Sequence, residues 1–307
     1  MGKVAFVFSG QGAQYTGMGK SLWEKSPAAR AVFEAADSQR PGTSQQCFTA
    51  PVEELSVTKN TQPCVYCVDL AAARALEEAG VKADYVAGFS LGEVAALSFA
   101  GVFPGEEGFG FVCKRAEAMQ KAAEENPGAM AAVLKLKNEQ VEAICQEFEQ
   151  VWPVNYNCPG QLVVAGEKGQ IEAFCKKVAE AGGRAVPLAV SGGFHSPFME
   201  SAGEELRAVL AGMELREPRV PVYANLNARP YTQAGAKELL VQQVKNPVRW
   251  QETIEALAAQ GVDTFLECGP GKTLCGLIRK TVKGAKVFQV EDGETLSAAV
   301  EAVKAAE

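Results

Sequence analysis

Histidine is nearly absent from this sequence of 307 residues, in which His195 is the only one. A serine nucleophile needs a base to take its proton, and histidine is the side chain best suited to that task near neutral pH. If the chain uses a histidine base, that base must be His195. The scarcity also argues against a metal site, because the single C-x-x-C pair, Cys64 and Cys67, has no second pair or histidines at a spacing suitable for zinc.

The sequence also lacks an excess of basic charge and any long apolar run. Its net charge of −7 disfavours nucleic acid as a partner, since a phosphate backbone calls for a basic surface. No apolar run approaches the ~20 residues that span a bilayer, and the run at 4–8 is too short for a signal peptide. We therefore expect no membrane partner, and nothing in the sequence demands an oligomer, so we expect a monomer.

The nine cysteines indicate the cellular compartment. An odd number of cysteines without an export signal is typical of reduced thiols in the cytoplasm, where we expect this protein. The pair Cys64 and Cys67 could be a redox motif, but it lies in a helical pattern with Val65, Val68 and Leu70. We interpret both thiols as helix-packing groups.

Short apolar runs alternate with helical stretches over much of the chain. The runs 4–8, 85–89 and 264–267 have the length and composition of strands buried in a parallel sheet. Between them we predict helices at 21–36, 63–79, 91–100 and 106–125, and a terminal helix from Thr295. This alternation predicts a doubly wound α/β core.

The middle of the chain has a different pattern. Strands are predicted at 130–136, 154–157, 162–165 and 184–190, with helices at 138–150 and 169–181. The order βαββαβ is that of a ferredoxin-like unit. We therefore predict a small domain at 127–191, inserted into a large domain formed by 1–126 and 192–307, with the active site in the cleft between the two.

The segment Gly88-Phe89-Ser90-Leu91-Gly92 lies between a predicted strand and a predicted helix. That context is typical of a nucleophile elbow, in which a tight turn lifts the serine out of the sheet near a helix N-terminus. The Leu91 N–H could then stabilise negative charge that develops on the substrate. The alternative is that Ser90 only caps the helix.

A second N–H donor is expected from the glycine-rich segment 9–14, which follows the first predicted strand. In a parallel sheet this segment and the elbow lie at the same edge, so we select the Gln11 N–H, against the alternative of a plain glycine turn. The segment lacks the G-x-G-x-x-G pattern of nucleotide binding. The segment 269–273 resembles a phosphate loop but has Leu266 where the first glycine should be.

Arg115 and His195 each allow a functional and a structural interpretation. Arg115 has Val112 and Met119 as its i−3 and i+4 neighbours, so its guanidinium should have an anion nearby. It could clamp a substrate carboxylate, or it could extend to solvent or pair with a glutamate. His195 lies in a glycine-rich loop and could be structural, but it is the only imidazole available to Ser90.

Several motifs together resemble the malonyl-CoA:acyl-carrier-protein transacylases of fatty-acid synthesis and the acyltransferase domains of polyketide synthases. The resemblance runs nearly end to end, through Phe8-Ser-Gly-Gln-Gly-Ala-Gln14, Thr61-Gln-Pro63, Gly88-Phe-Ser-Leu-Gly-Glu93, Arg115, Asn155-Tyr-Asn-Cys-Pro-Gly-Gln161, Phe194-His195-Ser196, Asn246-Pro-Val-Arg-Trp250 and Glu267-Cys-Gly-Pro-Gly-Lys272. The resemblance implies a hydrolase-like core with a ferredoxin-like insertion. It also implies ping-pong transfer of malonyl from malonyl-CoA to the phosphopantetheine thiol of acyl carrier protein, without a cofactor.

The resemblance also assigns roles to residues. Ser90 is the nucleophile, His195 the base and Arg115 the clamp for the malonyl carboxylate. The N–H groups of Gln11 and Leu91 form the oxyanion hole. A backbone carbonyl orients the histidine in this family, and its position here corresponds to Gln243.

Two phenylalanines bear on specificity and on a departure from the family. Phe89 stands where many members have a histidine, which changes the packing or polarity beside the elbow. Phe194 is typical of members that use malonyl, and we expect it to crowd the methyl group of methylmalonyl. For the acidic carrier protein, the expected docking patch is a basic one near a C-terminal helix, formed by Lys272, Arg279, Lys280, Lys283 and Lys286.

Three alternatives remain open at this point. A serine esterase or thioesterase would use water as its acceptor and would want an acidic third member of the triad. A discrete polyketide-pathway acyltransferase would differ only in the carrier protein that it serves. A non-catalytic acyl-binding protein could retain the fold, with Phe89 as the one feature in its favour.

Overall fold

A computed structural model describes residues 2–190 and 192–306. It contains two separate sheets, one parallel and one antiparallel. The strands are β1 (Lys3–Phe8), β2 (Tyr85–Gly88), β3 (Ala129–Leu134), β4 (Val151–Cys158), β5 (Gln161–Gly166), β6 (Arg184–Pro187), β7 (Val222–Tyr223), β8 (Val262–Cys268) and β9 (Lys286–Val290). The prediction of a mixed α/β protein with a parallel sheet is confirmed.

Fourteen α-helices accompany these strands within the described residues. They are α1 (Lys20–Lys25), α2 (Pro27–Gln39), α3 (Thr43–Thr49), α4 (Val52–Leu55), α5 (Thr58–Glu78), α6 (Leu91–Phe99), α7 (Glu107–Glu125), α8 (Asn138–Cys145), α9 (Lys168–Glu180), α10 (Glu200–Ala211), α11 (Ala236–Gln243), α12 (Trp250–Ala259), α13 (Thr273–Thr281) and α14 (Gly293–Lys304). No helix of the described residues is both long and apolar enough to cross a membrane.

The parallel sheet has the order β7-β2-β1-β8-β9, with β1 at its centre. Phe8, the last residue of β1, pairs with Gly88 of β2 on one side and with Cys268 of β8 on the other. Four of the six β1 residues are apolar and fully buried, as expected for a strand covered on both faces. The loops that follow β1, β2 and β8 therefore meet at one edge of this sheet.

The antiparallel sheet has the order β4-β5-β3-β6 and encloses a hydrophobic cluster of its own with α8 and α9. Pro127, just before β3, forms an antiparallel bridge with Gly192, so the chain enters and leaves this sheet side by side. The predicted boundary residue Ser191 lies outside the described residues, as do the terminal residues Met1 and Glu307.

In three places the helices differ from the predicted ones by more than two residues. The helix predicted at 21–36 is broken, because Ser26 caps a new helix by accepting a hydrogen bond from the Ala29 N–H at 3.0 Å, with Pro27 in its first turn. Helix α5 was predicted to begin at Pro63, but it begins at Thr58 and contains Pro63. Helix α8 ends at Cys145, because 146–150 turns into β4.

The cysteines agree with the packing interpretation. Cys64 and Cys67 are fully buried on α5, and none of the nine cysteines in the described chain forms a disulfide.

Candidate active site

Ser90 lies in a strained turn between β2 and α6. Its backbone has φ 55° and ψ −110°, in the left-handed half of the map that non-glycine residues rarely occupy. The flanking glycines permit the turn through close approach: a Cβ on Gly88 would lie 2.0 Å from the Gly92 carbonyl carbon, and one on Gly92 would lie 2.3 Å from the Phe8 carbonyl oxygen. The Ser90 side chain makes no capping hydrogen bond to α6, so the alternative of a helix-capping serine is not supported.

The Ser90 hydroxyl lies next to the only imidazole. Ser90 Oγ is 2.8 Å from His195 Nε2, and His195 Nδ1 is 2.8 Å from the backbone carbonyl oxygen of Gln243. Because a carbonyl oxygen can only accept, Nδ1 carries the proton and Nε2 presents its lone pair to Ser90. The structure thus brings the predicted nucleophile, base and orienting carbonyl into one chain of hydrogen bonds.

His195 is buried, with 3% of its surface exposed. Burial lowers the pKa of the imidazole from 6.5 to about 4, and the positive charge of Arg115 acts in the same direction. The imidazole is therefore neutral at physiological pH and free to accept a proton.

Arg115 extends from α7 into the same site and is 1% exposed. Its Nη2 lies 3.1 Å from Ser90 Oγ and donates to the Gln243 side-chain oxygen at 2.7 Å, while Nη1 donates to the Gln62 side-chain oxygen at 2.7 Å. Its Nε has no hydrogen-bond partner in the described part of the chain. Burial lowers the pKa of the guanidinium to about 10, and the Glu93 charge opposes that shift, so Arg115 remains a buried cation.

Asn225 holds the elbow from the side of β7 and was not predicted. Its side-chain oxygen accepts from the Ser90 N–H at 2.8 Å, and its side-chain nitrogen donates to the Gly88 carbonyl at 2.6 Å. The two bonds bracket Phe89, so one carboxamide fixes the backbone that leads into the strained residue Ser90. The nearby side-chain nitrogen of Gln243 donates to the Ser90 carbonyl at 2.8 Å.

Glu93 is fully buried and accepts hydrogen bonds from Asn225 and Tyr231. One carboxyl oxygen accepts from the Asn225 N–H at 2.5 Å, and the other accepts from the Tyr231 hydroxyl. Burial raises the pKa of Glu93 to about 7, while these hydrogen bonds and the Arg115 charge pull it down. Glu93 belongs to the motif Gly88–Glu93, but no sequence signal pointed to Asn225 or Tyr231. Gln62 lies in the quoted segment 61–63, yet its contact with Arg115 was not predicted.

The two predicted oxyanion donors lie on adjacent loops at this edge of the sheet. Leu91 is the first residue of α6, so its N–H has no carbonyl one turn earlier to donate to. The segment 9–14 follows β1, and a Cβ on Gly10 would lie 3.0 Å from the Phe89 carbonyl oxygen, so this loop packs directly against the elbow. The Gln11 side chain is tied to Thr58 Oγ1 at 3.2 Å.

A cleft of about 470 Å³ separates this edge from the antiparallel sheet. Its walls include the 9–14 loop, Phe89, strands β4 and β5, the 188–190 segment and the first turn of α13. Asn155 and Asn157 of β4 line it, and the side-chain oxygen of each is buried without a partner among the described residues. Such oxygens can accept hydrogen bonds from amide N–H groups of a ligand.

The two phenylalanines differ in their surroundings. Phe89 packs against Trp250 with ring centroids 5.5 Å apart, so an aromatic contact lies directly before Ser90. Phe194 is buried in the hydrophobic core, and its ring lies beside Gly192. The five predicted docking residues are exposed, on or next to α13 and β9, although Arg279 also donates to the Val287 carbonyl at 2.9 Å.

Within the described residues, no group of three or more His, Cys, Asp or Glu side chains is arranged to hold a metal ion.

Comparison with known proteins identifies the family. The model of the acyl transferase domain matches residues 5–299. The malonyl CoA-acyl carrier protein transacylase of Bacillus subtilis is 40% identical over 99% of this chain and 98% of its own length. Its counterpart in Escherichia coli is 37% identical over 98% of this chain and its own full length.

Solved structures agree. A malonyl CoA-acyl carrier protein transacylase from Clostridium perfringens superposes with a TM-score of 0.95 at 36% identity, over 99% of this chain and 98% of that one. A type II PKS acyl-carrier protein in complex with its malonyl-transacylase gives a TM-score of 0.94 at 37% identity, over 98% and 99% of the two chains. The chain therefore belongs to the acyl transferase family and, within it, to the malonyl-CoA:acyl-carrier-protein transacylases.

Proposed function

We propose that this enzyme transfers malonyl from malonyl-CoA to the phosphopantetheine thiol of an acyl carrier protein, through an ester on Ser90. The observation that carries this proposal is the chain Ser90 Oγ–His195–Gln243 carbonyl, with an Arg115 nitrogen 3.1 Å from the same hydroxyl. A nucleophile, its base and a cation for the free carboxylate of malonyl are then within reach of one another.

In the first half-reaction, Ser90 Oγ attacks the thioester carbonyl and His195 Nε2 takes the hydroxyl proton. The carbonyl oxygen becomes an oxyanion, which the N–H groups of Gln11 and Leu91 stabilise. The C–S bond breaks, and His195 returns the proton to the sulfur of CoA. In the second half-reaction, the carrier-protein thiol gives its proton to His195 and attacks the ester, and Ser90 regains the proton as it leaves.

The Gln243 carbonyl does the orienting work that an aspartate does in a serine protease. It fixes the tautomer but carries no full charge, so it stabilises the imidazolium less than a carboxylate would. The low pKa of His195 agrees with this. A bound malonyl carboxylate offsets the Arg115 charge, which raises the pKa of the imidazole toward the value that suits a base.

Arg115 would bind the malonyl carboxylate through its two Nη groups. In the free enzyme these groups donate to neutral amide oxygens of Gln62 and Gln243. Exchange of a neutral acceptor for a carboxylate gives a stronger, charge-assisted pair. Acetyl offers no carboxylate, so malonyl is preferred.

The carrier's prosthetic arm is proposed to lie in the cleft of about 470 Å³. Its amide N–H groups would find the unpaired oxygens of Asn155 and Asn157. Lys272, Arg279, Lys280, Lys283 and Lys286 would meet the acidic carrier at the cleft mouth, where α13 also lines the wall. Charge reversal at Arg279 and Lys280 should raise the carrier-protein KM and spare acylation by malonyl-CoA.

Phe194 is proposed to set the preference for malonyl over methylmalonyl, because a buried phenyl ring leaves little room for a branching methyl group. Competition between the two CoA esters checks this, and faster turnover of methylmalonyl-CoA would overturn it.

The proposal also covers domain organisation, oligomeric state, cellular location and the need for cofactors or partners. The parallel-sheet portion, 1–126 and 192–307, would be a hydrolase-like catalytic domain, and 127–191 a ferredoxin-like inserted domain; the strand order β4-β5-β3-β6 supports the latter. We further propose a cytoplasmic monomer that needs no cofactor and has no nucleic-acid or membrane partner. The nine free thiols agree with a reducing compartment.

Initial-rate kinetics test the transfer. When malonyl-CoA and holo acyl carrier protein are varied together, parallel double-reciprocal lines support a ping-pong route, and intersecting lines contradict it. Release of free malonate without transfer to the carrier would instead indicate the thioesterase alternative. Carrier proteins of fatty-acid and polyketide pathways should be compared in this assay, because one structural relative is complexed with a type II PKS carrier.

A further inference from the structure

Glu93 is a buried acid that the proposed mechanism does not use. It is the third residue of α6, and none of its surface is exposed. A buried carboxyl group is unfavourable unless hydrogen-bond donors meet its oxygens. Each oxygen of Glu93 has such a donor: the Asn225 N–H at 2.5 Å for one and the Tyr231 hydroxyl for the other. Both donors come from the segment after β7 and not from the helix that carries Glu93.

The hydrogen bonds of Glu93 and Asn225 form a closed ring through Ser90. The Ser90 N–H donates to the Asn225 side-chain oxygen at 2.8 Å, and the Asn225 N–H donates to Glu93 Oε2 at 2.5 Å. The Glu93 N–H then donates to the Ser90 carbonyl at 3.0 Å and closes the ring. The ring therefore holds the peptide groups on both sides of the Ser90 Cα atom, which define its φ of 55° and ψ of −110°. Such a rare conformation persists only where the surroundings fix it.

Tyr231 anchors the other oxygen of the Glu93 carboxyl group. The chain that leads from Asn225 to Tyr231 folds back on β7, because the Tyr231 N–H donates to the Val222 carbonyl at 2.8 Å. Asn225 and Tyr231 thus lie at the two ends of one loop, and Glu93 accepts a hydrogen bond from each end. The carboxyl group consequently holds both the loop and the carboxamide that the loop presents to the elbow.

The negative charge of Glu93 could have a different role, as a counter-charge for Arg115. That charge opposes the lowering of the guanidinium pKa. The hydrogen bonds of the guanidinium, however, go to neutral oxygens of Gln62, Gln243 and Ser90. The direct contacts of Glu93 are with the loop after β7, so the geometry favours a role in positioning.

We propose that Glu93 is a positioning residue: its carboxyl group closes the ring of hydrogen bonds and thereby holds Ser90 where its Oγ lies 2.8 Å from His195 Nε2. Glu93 acts through the Asn225 carboxamide, Tyr231 keeps the carboxyl group in place, and Glu93 does not itself take part in the transfer. This inference rests on the proposed role of Ser90 as the nucleophile.

Rapid-quench measurements of Ser90 acylation test the proposal. In E93A the rate constant at saturating malonyl-CoA should fall by about 10-fold or more, within the about 100-fold that a misplacement of 1 Å can cost. The malonyl-CoA concentration that gives half of this rate should change by less than about twofold, because Arg115 keeps its own partners. An E93A enzyme with the wild-type rate would overturn the proposal.

E93Q separates position from charge. Its amide oxygen can accept from the Asn225 N–H and its amide nitrogen can donate to the Tyr231 hydroxyl oxygen, so both contacts are kept while the charge is lost. E93Q should therefore retain the wild-type acylation rate within about threefold. If E93Q is as slow as E93A, the charge of Glu93 is what matters, and the proposal is overturned.

A double-mutant cycle with N225A separates positioning from support of the fold. N225A removes the carboxamide but keeps the backbone N–H that donates to Glu93. E93A should therefore slow acylation strongly in wild type but by less than about twofold in the N225A background. Equal slowing in both backgrounds would overturn the proposal. If E93A does not fold, Y231F takes its place in the cycle, with a loss of about fivefold expected only where the carboxamide is present.

D37A is the matched control. Asp37 on α2 also accepts one hydrogen bond from a backbone N–H and one from a hydroxyl group, both of Ser44 on α3. D37A should lower the melting temperature and leave the acylation rate unchanged. If D37A slows acylation as much as E93A, loss of stability explains both results and the proposal is overturned. If wild type itself forms no malonyl adduct, the proposed function fails instead.

Discussion

Replacement of Arg115 by methionine tests what the buried guanidinium does. Methionine has similar length, is apolar and adapts to an irregular cavity, so it fills the space without the charge. In wild type, two Nη groups donate to Gln62 and Gln243 at 2.7 Å and can turn to a carboxylate. Hydrogen bonds to a charged group contribute about 1.5–3 kcal/mol each.

The two Nη groups must first leave the glutamine oxygens, and the free energy lost there reduces the combined contribution of the two hydrogen bonds to the carboxylate. We take about 3 kcal/mol for the carboxylate pair, which corresponds to a loss of roughly 100-fold in kcat/KM for malonyl-CoA. Acetyl-CoA has no carboxylate, so its slow transfer should change by no more than about threefold. The malonyl-to-acetyl ratio should therefore fall by more than about 30-fold.

The variant should also move the pH profile. Because the Arg115 charge lowers the pKa of His195, its removal should raise that pKa and shift the acid limb of kcat/KM for acetyl-CoA upward. The matched control is K114M, which removes the same charge from the preceding residue, whose side chain is 58% exposed. K114M should change neither the ratio nor the profile.

Both acyl transfers should be measured with one carrier protein, and melting temperatures should be recorded alongside. Equal losses of malonyl and acetyl transfer in R115M would show that Arg115 only supports the fold. That result would refute the role of Arg115 as the carboxylate clamp.

Other consequences can be checked by similar means. The kcat/KM for malonyl-CoA should stay level from neutral pH downward and fall as pH drops through about 4, where His195 becomes protonated; a midpoint near 6.5 would contradict its burial. Because the pKa of His195 is about 4 in the folded state and 6.5 in the unfolded state, the unfolded state takes up the proton at higher pH. The free energy of unfolding of wild type should therefore fall by ~3 kcal/mol relative to that of H195Q as pH drops from 6.5 toward 4, and urea titrations measure this difference. N225A leaves the Ser90 N–H and the Gly88 carbonyl unpaired, and should lower the free energy of unfolding by about 2–4 kcal/mol and reduce kcat more than KM. G92A should not yield folded protein, since its Cβ would lie 2.3 Å from a carbonyl oxygen of β1; an active G92A enzyme would refute that packing argument.

The sequence pointed to the groups that are proposed to react because each had a distinctive local signal. Ser90 lies in a glycine-bounded turn after an apolar strand, and His195 is the single imidazole. Arg115 interrupts an apolar helix face. In the structure Ser90 Oγ lies within hydrogen-bond distance of both His195 and Arg115, and His195 Nδ1 lies within hydrogen-bond distance of the Gln243 carbonyl; their catalytic roles remain predictions.

The supporting groups could not be predicted in the same way. Asn225 is 135 residues from Ser90, and Tyr231 is 138 residues from Glu93, so no local pattern connects them. A polar residue on a short strand or in a loop has no periodicity that would indicate its partner.

The helix break at Ser26 has a different explanation. The pair Ser26-Pro27 is a recognisable start signal, yet the apolar pattern continues through it and favoured one helix over 21–36. The local capping bond prevailed over that periodicity, because proline is readily accommodated in the first turn of a helix and disfavoured in its interior.

The central claim is that Ser90 carries the malonyl group, and intact-mass spectrometry tests it most directly. Wild type should gain the mass of one malonyl group after brief exposure to malonyl-CoA, and S90A should gain none. The adduct should move to holo acyl carrier protein when that protein is added. An adduct of equal yield on S90A, or one that never reaches the carrier, would contradict the account.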